Sequence, residues 1–240
     1  MIRKALAVLA WLAIGHLVVA GLFWLLLNTP DSNALMVTAS ALLGLVLVVI
    51  AGTVEGTAGA WLLPGRTFRE ALRAGLRAVP AFVLAVLVFG VFWWIAARIE
   101  AWHAAHGSEI DAWMIATFNA PDATWPHTLI TVLAFVFRDI VGLSVAVALL
   151  FAALEGGTRA VLRMRWPAAA ISRDQAMLVA IGVTLFIALP WHFATWRPND
   201  LPVSWVQPAF AAAKLALIDV AMTIGWGICL LAGARNAAAR

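Results

Sequence analysis

Six long apolar runs, at residues 5–28, 34–62, 80–99, 128–154, 175–196 and 206–232, decide most of what this chain can become. A helix needs about 20 mostly apolar residues to cross ~30 Å of hydrocarbon, and each run supplies them. Backbone in lipid must satisfy its own hydrogen bonds, so spans of this kind are helices. With 64% hydrophobic and 12% charged residues, the 240-residue chain is too apolar for an ordinary soluble domain. The expected fold is all-α: one polytopic transmembrane domain over residues 1–240, built on six membrane-crossing helices. The first run is read as a crossing and not a cleaved signal, because its apolar core exceeds the ~7–15 residues of a secretory h-region.

Charge sets the orientation. Arg3, Lys4, Arg66, Arg69, Arg73, Arg77, Arg159, Arg163, Arg165, Arg173, Arg235 and Arg240 all fall on one side of the six-span path. Only Arg98 and Arg197 fall on the other, which collects Asp31, Glu100, Glu109, Asp111, Asp122 and Asp200. Cytoplasmic loops carry the excess of Lys and Arg, so both termini are expected in the cytoplasm and the home is a cell inner (plasma) membrane. That placement explains a pI near 10.5 without a nucleic-acid partner. Trp24, Trp93, Trp94, Trp102, Trp113, Trp125, Trp191, Trp196 and Trp205 cluster at or beyond the outer span ends, as an aromatic belt would. Cys229 is the single cysteine, which excludes an intrachain disulfide and any two-cysteine metal or redox motif.

A weak repeat runs through the chain. Val54-Glu55-Gly56-Thr57 ends the second run and Leu154-Glu155-Gly156-Gly157-Thr158 the fourth; the odd runs end Gly21-Leu22-Phe23-Trp24, Gly90-Val91-Phe92-Trp93 and Ala188-Leu189-Pro190-Trp191. Three pseudo-repeated hairpins (1–2, 3–4, 5–6) follow, a pattern common in transporters and found elsewhere. Between runs, Thr67-x-x-Glu70 is a capping box opening an amphipathic helix over 67–79. Its Arg66, Arg69, Arg73 and Arg77 form one stripe and Phe68, Leu72, Leu76 and Val79 another, which predicts a helix lying on anionic headgroups of the cytoplasmic leaflet. Ser108-x-x-Asp111 predicts a second interfacial helix over 109–118, and Ser172-x-x-Gln175 a cap for the fifth run. Ser40, Gly44, Gly52 and Gly56, and Ala221-x-x-x-Gly225, are small-residue packing faces.

Polar groups inside the runs carry the functional question. His16, Arg138, Asp139, Lys214 and Asp219 all fall at membrane depth, where a charge costs roughly 2.5–3.5 kcal/mol on insertion scales. Arg138 and Asp139 are ~100° apart on one helix and Lys214 and Asp219 ~140°, so pairing between spans four and six is expected, with His16 completing the cluster. The cluster reads either as an ion, proton or anionic-substrate site or as a static ion-pair network. Glu55 and Glu155 end their helices at the unfavourable pole of the dipole, which predicts cationic partners among Arg66, Arg69, Arg159 and Arg163.

No nucleophile elbow, His-Glu-x-x-His helix or Walker loop occurs, so no catalytic residue, metal or cofactor is assigned. The expectation is a non-enzymatic protein that binds or translocates a small ion, metabolite or lipid near the bilayer midplane. The alternative is an accessory or scaffold subunit docking a membrane-protein partner or a second copy of itself. A haem-binding electron-transfer subunit is a third reading, poorly served because His192 sits ~5–8 Å above His16 along the membrane normal.

Overall fold

The computed structural model describes residues 2–30, 32–119, 124–162, 172–188, 190, 195–196 and 205–238. Every regular element among them is helical. These are α1 (Ile2–Leu27), α2 (Ala34–Leu62), α3 (Phe68–Phe118) and α4 (Trp125–Phe135), which widens into π-helical turns over Val136–Gly142 and resumes as α5 (Leu143–Leu162). Then come α6 (Arg173–Val183), running into π turns over Thr184–Ala188, and α7 (Val206–Ala238).

Five stretches are long and apolar enough to cross a membrane, as a multi-pass membrane protein requires: Arg3–Leu27, Ala34–Leu62, Phe68–Phe118, Trp125–Gly157 and Val206–Ala238. The expected fifth run is helical from Arg173 to Ala188, and most of its remainder lies outside the described residues. Asp31, Asp122, Arg163, Arg165, Trp191, His192, Arg197, Asp200 and Arg240 also lie outside them. The arms of each expected hairpin touch, and α2 packs even more extensively on α3. Trp24, Trp93, Trp94, Trp102, Trp113, Trp125, Trp196 and Trp205 are all exposed, which suits a lipid-facing belt.

The separate helices expected at 67–79 and 109–118 are both parts of α3, a single helix of 51 residues and ~77 Å in length. Its start is the expected capping box: Glu70 accepts the Thr67 N–H at 2.9 Å and the Thr67 hydroxyl at 2.8 Å, while the Thr67 oxygen accepts the Glu70 N–H. Nothing stops the helix after that until Asn119, which takes a left-handed conformation (φ 50°) and gives its N–H to Ile115. Pro80 withdraws one hydrogen bond and crowds the preceding turn, but the helix continues through it. Ser108 and Asp111 therefore sit inside a helix and open none.

The Arg-bearing segment of α3 packs one face on the bundle. Its Ala71, Gly75 and Ala78 are buried against the end of α2. A Cβ on Gly56 would stand 2.8 Å from Gly75 Cα, so the two backbones touch there. Gly52 receives Phe82, and Phe151 lies against Gly59 and Gly233. Ser40 and Gly44 of the same stripe face open space or are only partly covered, so the small-residue face packs over half its length. The Ser172–Gln175 expectation is also corrected: Ser172 makes no capping bond, and buried Gln175 donates to the Ser144 carbonyl at 2.7 Å while accepting from Asn236 at 2.8 Å. A side chain read as a cap instead ties α6 to α5 and α7.

The two bonds from Thr67 hold the Glu70 carboxyl below the ordinary glutamate range, helped by Arg66 and Arg73. A lowered folded pKa means that the stabilisation is complete above the unfolded value and is lost as pH falls through the folded one. Amides at the start of α3 should therefore lose hydrogen-exchange protection in that acid window. Thr67→Ala should flatten the response; an unchanged profile in that variant would show that the cap is not its source.

Candidate functional site

Three ties fasten α1 antiparallel to α2: Lys4 Nζ donates to the Leu63 carbonyl at 3.1 Å, Trp11 Nε1 to the Val54 carbonyl at 3.0 Å, and His16 meets Glu55. Gly15 makes the third possible. A Cβ at that position would fall 2.4 Å from Val54 Cγ1, so only glycine lets α1 come close enough for His16 to reach across. His16 Nε2 then stands 2.8 Å from Glu55 Oε1, and His16 Nδ1 3.2 Å from Thr223 Oγ1 on α7. Trp226, one turn beyond Thr223, donates its indole N–H to Glu55 Oε2. Asp219, one turn before Thr223, is near enough to act electrostatically on His16.

The Glu55 expectation is thereby corrected. Among the described residues its partners are His16 and Trp226, not Arg66, Arg69 or Arg159; Arg163 lies outside them. The cause is geometric: Glu55 falls on the face of α2 that meets α1 and α7, which carry His16 and Trp226. Arg66 instead donates to the Leu154 carbonyl at 2.9 Å. Glu155, in the matching motif, is exposed, so the two Glu-Gly pairs share a sequence and not an environment.

The five-residue cluster expected near the midplane is divided among three places. His16 and Asp219 join Glu55 as above. Arg138 bonds its chain neighbour Asp139, with Nε at 3.0 Å and Nη2 at 2.9 Å, and reaches Glu100 of α3 at 3.3 Å. The π-helical turns explain why an expected cross-helix pair became a local one: the widened turn alters the angle between neighbours, and the long guanidinium closes the rest. Lys214 donates to the Trp196 carbonyl at 2.5 Å and stands 5.9 Å from the Phe210 ring centre. Arg138 and Lys214 thus share no site, which removes the basis for an anion pocket built on both.

Hydrogen-bond capacity decides what the His16 centre can do. An indole nitrogen only donates, so Trp226 suits an ionised Glu55 and fixes its Oε2 as an acceptor. Oε1 accepts from the imidazole. The Thr223 hydroxyl can donate to a neutral Nδ1 or, after rotating, accept from a protonated one. Proton gain and loss at His16 Nδ1 are therefore both accommodated without moving a helix. Both ring nitrogens are engaged, so His16 has no free nitrogen for a haem iron, and His192 lies outside the described residues.

The centre also marks a boundary. Residues 17–27 of α1, 34–51 of α2 and 206–222 of α7 include no fully buried position. Burial starts at Gly15, Gly52 and Thr223 and continues toward the Arg-rich ends. His16 keeps 25% of its side chain exposed, Glu55 only 11%.

At the opposite end of the molecule lies a second chain of hydrogen bonds that spacing alone did not reveal. Asp111 Oδ1 stands 2.7 Å from His127 Nε2, and His127 Nδ1 2.7 Å from His103 Nε2, clipping α3 to α4. His106 instead bonds the Trp102 carbonyl at 2.9 Å, and no set of three or more potential metal ligands gathers among the described residues. No protein-family model matches the sequence, and no curated protein or solved structure is similar enough to count as a match.

Proposed function

We propose that this membrane protein is non-enzymatic and carries a small cation, the proton, through the His16–Glu55–Thr223 centre. The observation that supports this is a buried carboxylate held by an imidazole and an indole at the floor of the unpacked halves of α1, α2 and α7. Two acids and one histidine, with Arg138 and Lys214 engaged elsewhere, suit a cation and not an anion. The imidazole exchanges the proton, Glu55 compensates its charge, and the Thr223 hydroxyl turns to follow it.

Purified protein in liposomes loaded with a pH-sensitive dye, driven by a potassium diffusion potential, tests the proposal. Proton entry should exceed that of empty liposomes. Glu55→Gln removes a charge-assisted hydrogen bond worth about 1.5–3 kcal/mol, which corresponds to a fall of at least roughly tenfold. Thr223→Val should slow entry while the fold is kept, because only the rotating hydroxyl is lost. Wild-type entry no faster than the empty control would sink the proposal.

A scaffold role has an observation of its own. A Cβ on Gly21, Gly44 or Gly90 would meet nothing within 4 Å, so these small positions of α1, α2 and α3 are open to another helix. A discrete oligomer from a chain that conducts no protons would favour that role.

A further inference from the structure

We infer that the chain holds one anionic phospholipid in a groove between the Arg-bearing start of α3 and the end of α5. The groove encloses about 990 Å³ at the Arg-rich end of the bundle, away from the His16 centre. Its polar half is made by Arg66, Arg73 and Arg77, with Glu70 alongside. Three guanidinium groups against one carboxylate, itself held by the Thr67 cap, leave the mouth net positive. Its other half is apolar: Ala81 and Leu84 on α3 face Leu154 and Val161 on α5.

Arg66 shows that an anion is wanted there. One of its terminal nitrogens, Nη2, is fixed by the Leu154 carbonyl. The other, Nη1, is buried and has no hydrogen-bond partner among the described residues. An unsatisfied buried donor is costly, and an anion in the groove would compensate the guanidinium charge that Nη1 shares. Arg73 and Arg77, one helical turn apart, line the same mouth. A free phosphate would use these groups and leave the apolar half unoccupied. A zwitterionic lipid would fill both halves but bring no net charge. Only a ligand with an anionic head and an apolar tail uses everything the groove offers.

Leu84 ties the groove to the membrane. It lies past Pro80 in the apolar crossing and is 41% exposed, so the groove descends from the headgroup level into the acyl region. Arg69 supplies the internal control. It belongs to the same basic stripe and is exposed, but it does not line the groove.

Delipidated full-length protein in neutral detergent, titrated with phosphatidylglycerol and followed by native mass spectrometry, tests this. One phosphatidylglycerol should be retained per chain, at concentrations where phosphatidylcholine is not. Arg73→Gln with Arg77→Gln should weaken retention by at least roughly 100-fold if each guanidinium gives the phosphate one charge-assisted hydrogen bond. Arg69→Gln should leave it within about twofold, since no groove contact is lost. Ala81→Phe, which keeps every charge and fills the apolar half, should also weaken it, so the result does not rest on one variant. Equal losses from Arg69→Gln and the double variant would mean diffuse attraction and overturn the site. So would equal retention of phosphatidylcholine, displacement by millimolar inorganic phosphate, or indifference to Ala81→Phe.

Discussion

A Gly75→Ala variant melts well below the unsubstituted protein. The added methyl carbon would stand 2.4 Å from Thr57 Oγ1, 2.5 Å from Thr57 N and 2.9 Å from the Thr53 carbonyl oxygen. Two of those three atoms are backbone and cannot rotate away, so α3 must lift off α2. Overfilling a packed site costs about 1–3 kcal/mol when side chains can yield, and more when they cannot. The effect spreads, because the α2–α3 contact is the most extensive in the bundle. Gly90→Ala is the matched control. Its methyl would meet nothing within 4 Å, and glycine in a helix interior is about 0.5–1 kcal/mol worse than alanine. The two substitutions, chemically identical and on the same helix, should shift the melting temperature in opposite directions. Equal melting in one detergent would refute the backbone contact at Gly56 and Gly75.

Arg138→Met produces the second large effect, and its logic is electrostatic. Arg138 neutralises Asp139 and lies within reach of Glu100. Removing it strands a carboxylate on a segment of apolar surroundings, where an uncompensated Asp costs roughly 2.5–3.5 kcal/mol. Asp139→Asn alone leaves Arg138 with Glu100 and should cost less. The combination of Arg138→Met with Asp139→Asn is the informative variant, since it removes both charges together. Taking out both members of a buried pair is often near neutral, whereas taking out one is not. Thermal unfolding of the three variants should rank the double above the Arg138 single. A double variant as damaged as the single would show that packing of the Arg138 stem, and not its charge, matters.

Much of the architecture is legible in the residues. Apolar length finds five helices fit to cross a membrane, because lipid leaves a span little alternative to helix, and the Thr67–Glu70 box marks the start of α3 to the residue. The side-chain network is less legible. Spacing places Glu55 at a helix end, but which helices cover that face of α2, and so which side chains meet the carboxylate, is decided by tertiary packing. The signal for the His16–Glu55 contact lay in Gly15-His16, a glycine beside an intramembrane histidine, which permits the approach to Val54. The π-helical turns at Val136–Gly142 are not expected from apolar spacing, which cannot tell them from α-helix. The merging of three expected pieces into α3 has a similar origin. Polar loop composition suggested breaks, but no residue between Thr67 and Asn119 withdraws more than Pro80's one hydrogen bond.

That merger has a mechanical consequence. At ~77 Å, α3 is more than twice the ~30 Å thickness of the hydrocarbon it crosses. One end carries the arginines that face the groove, and the other is gripped by His127 through Asp111 and His103. A continuous helix is a stiff strut: a displacement of either tip is passed along it to the other, with Pro80 as the softest point along its length. The two faces of the bilayer are thus linked together by a single piece of secondary structure, without any intervening loop to absorb the motion.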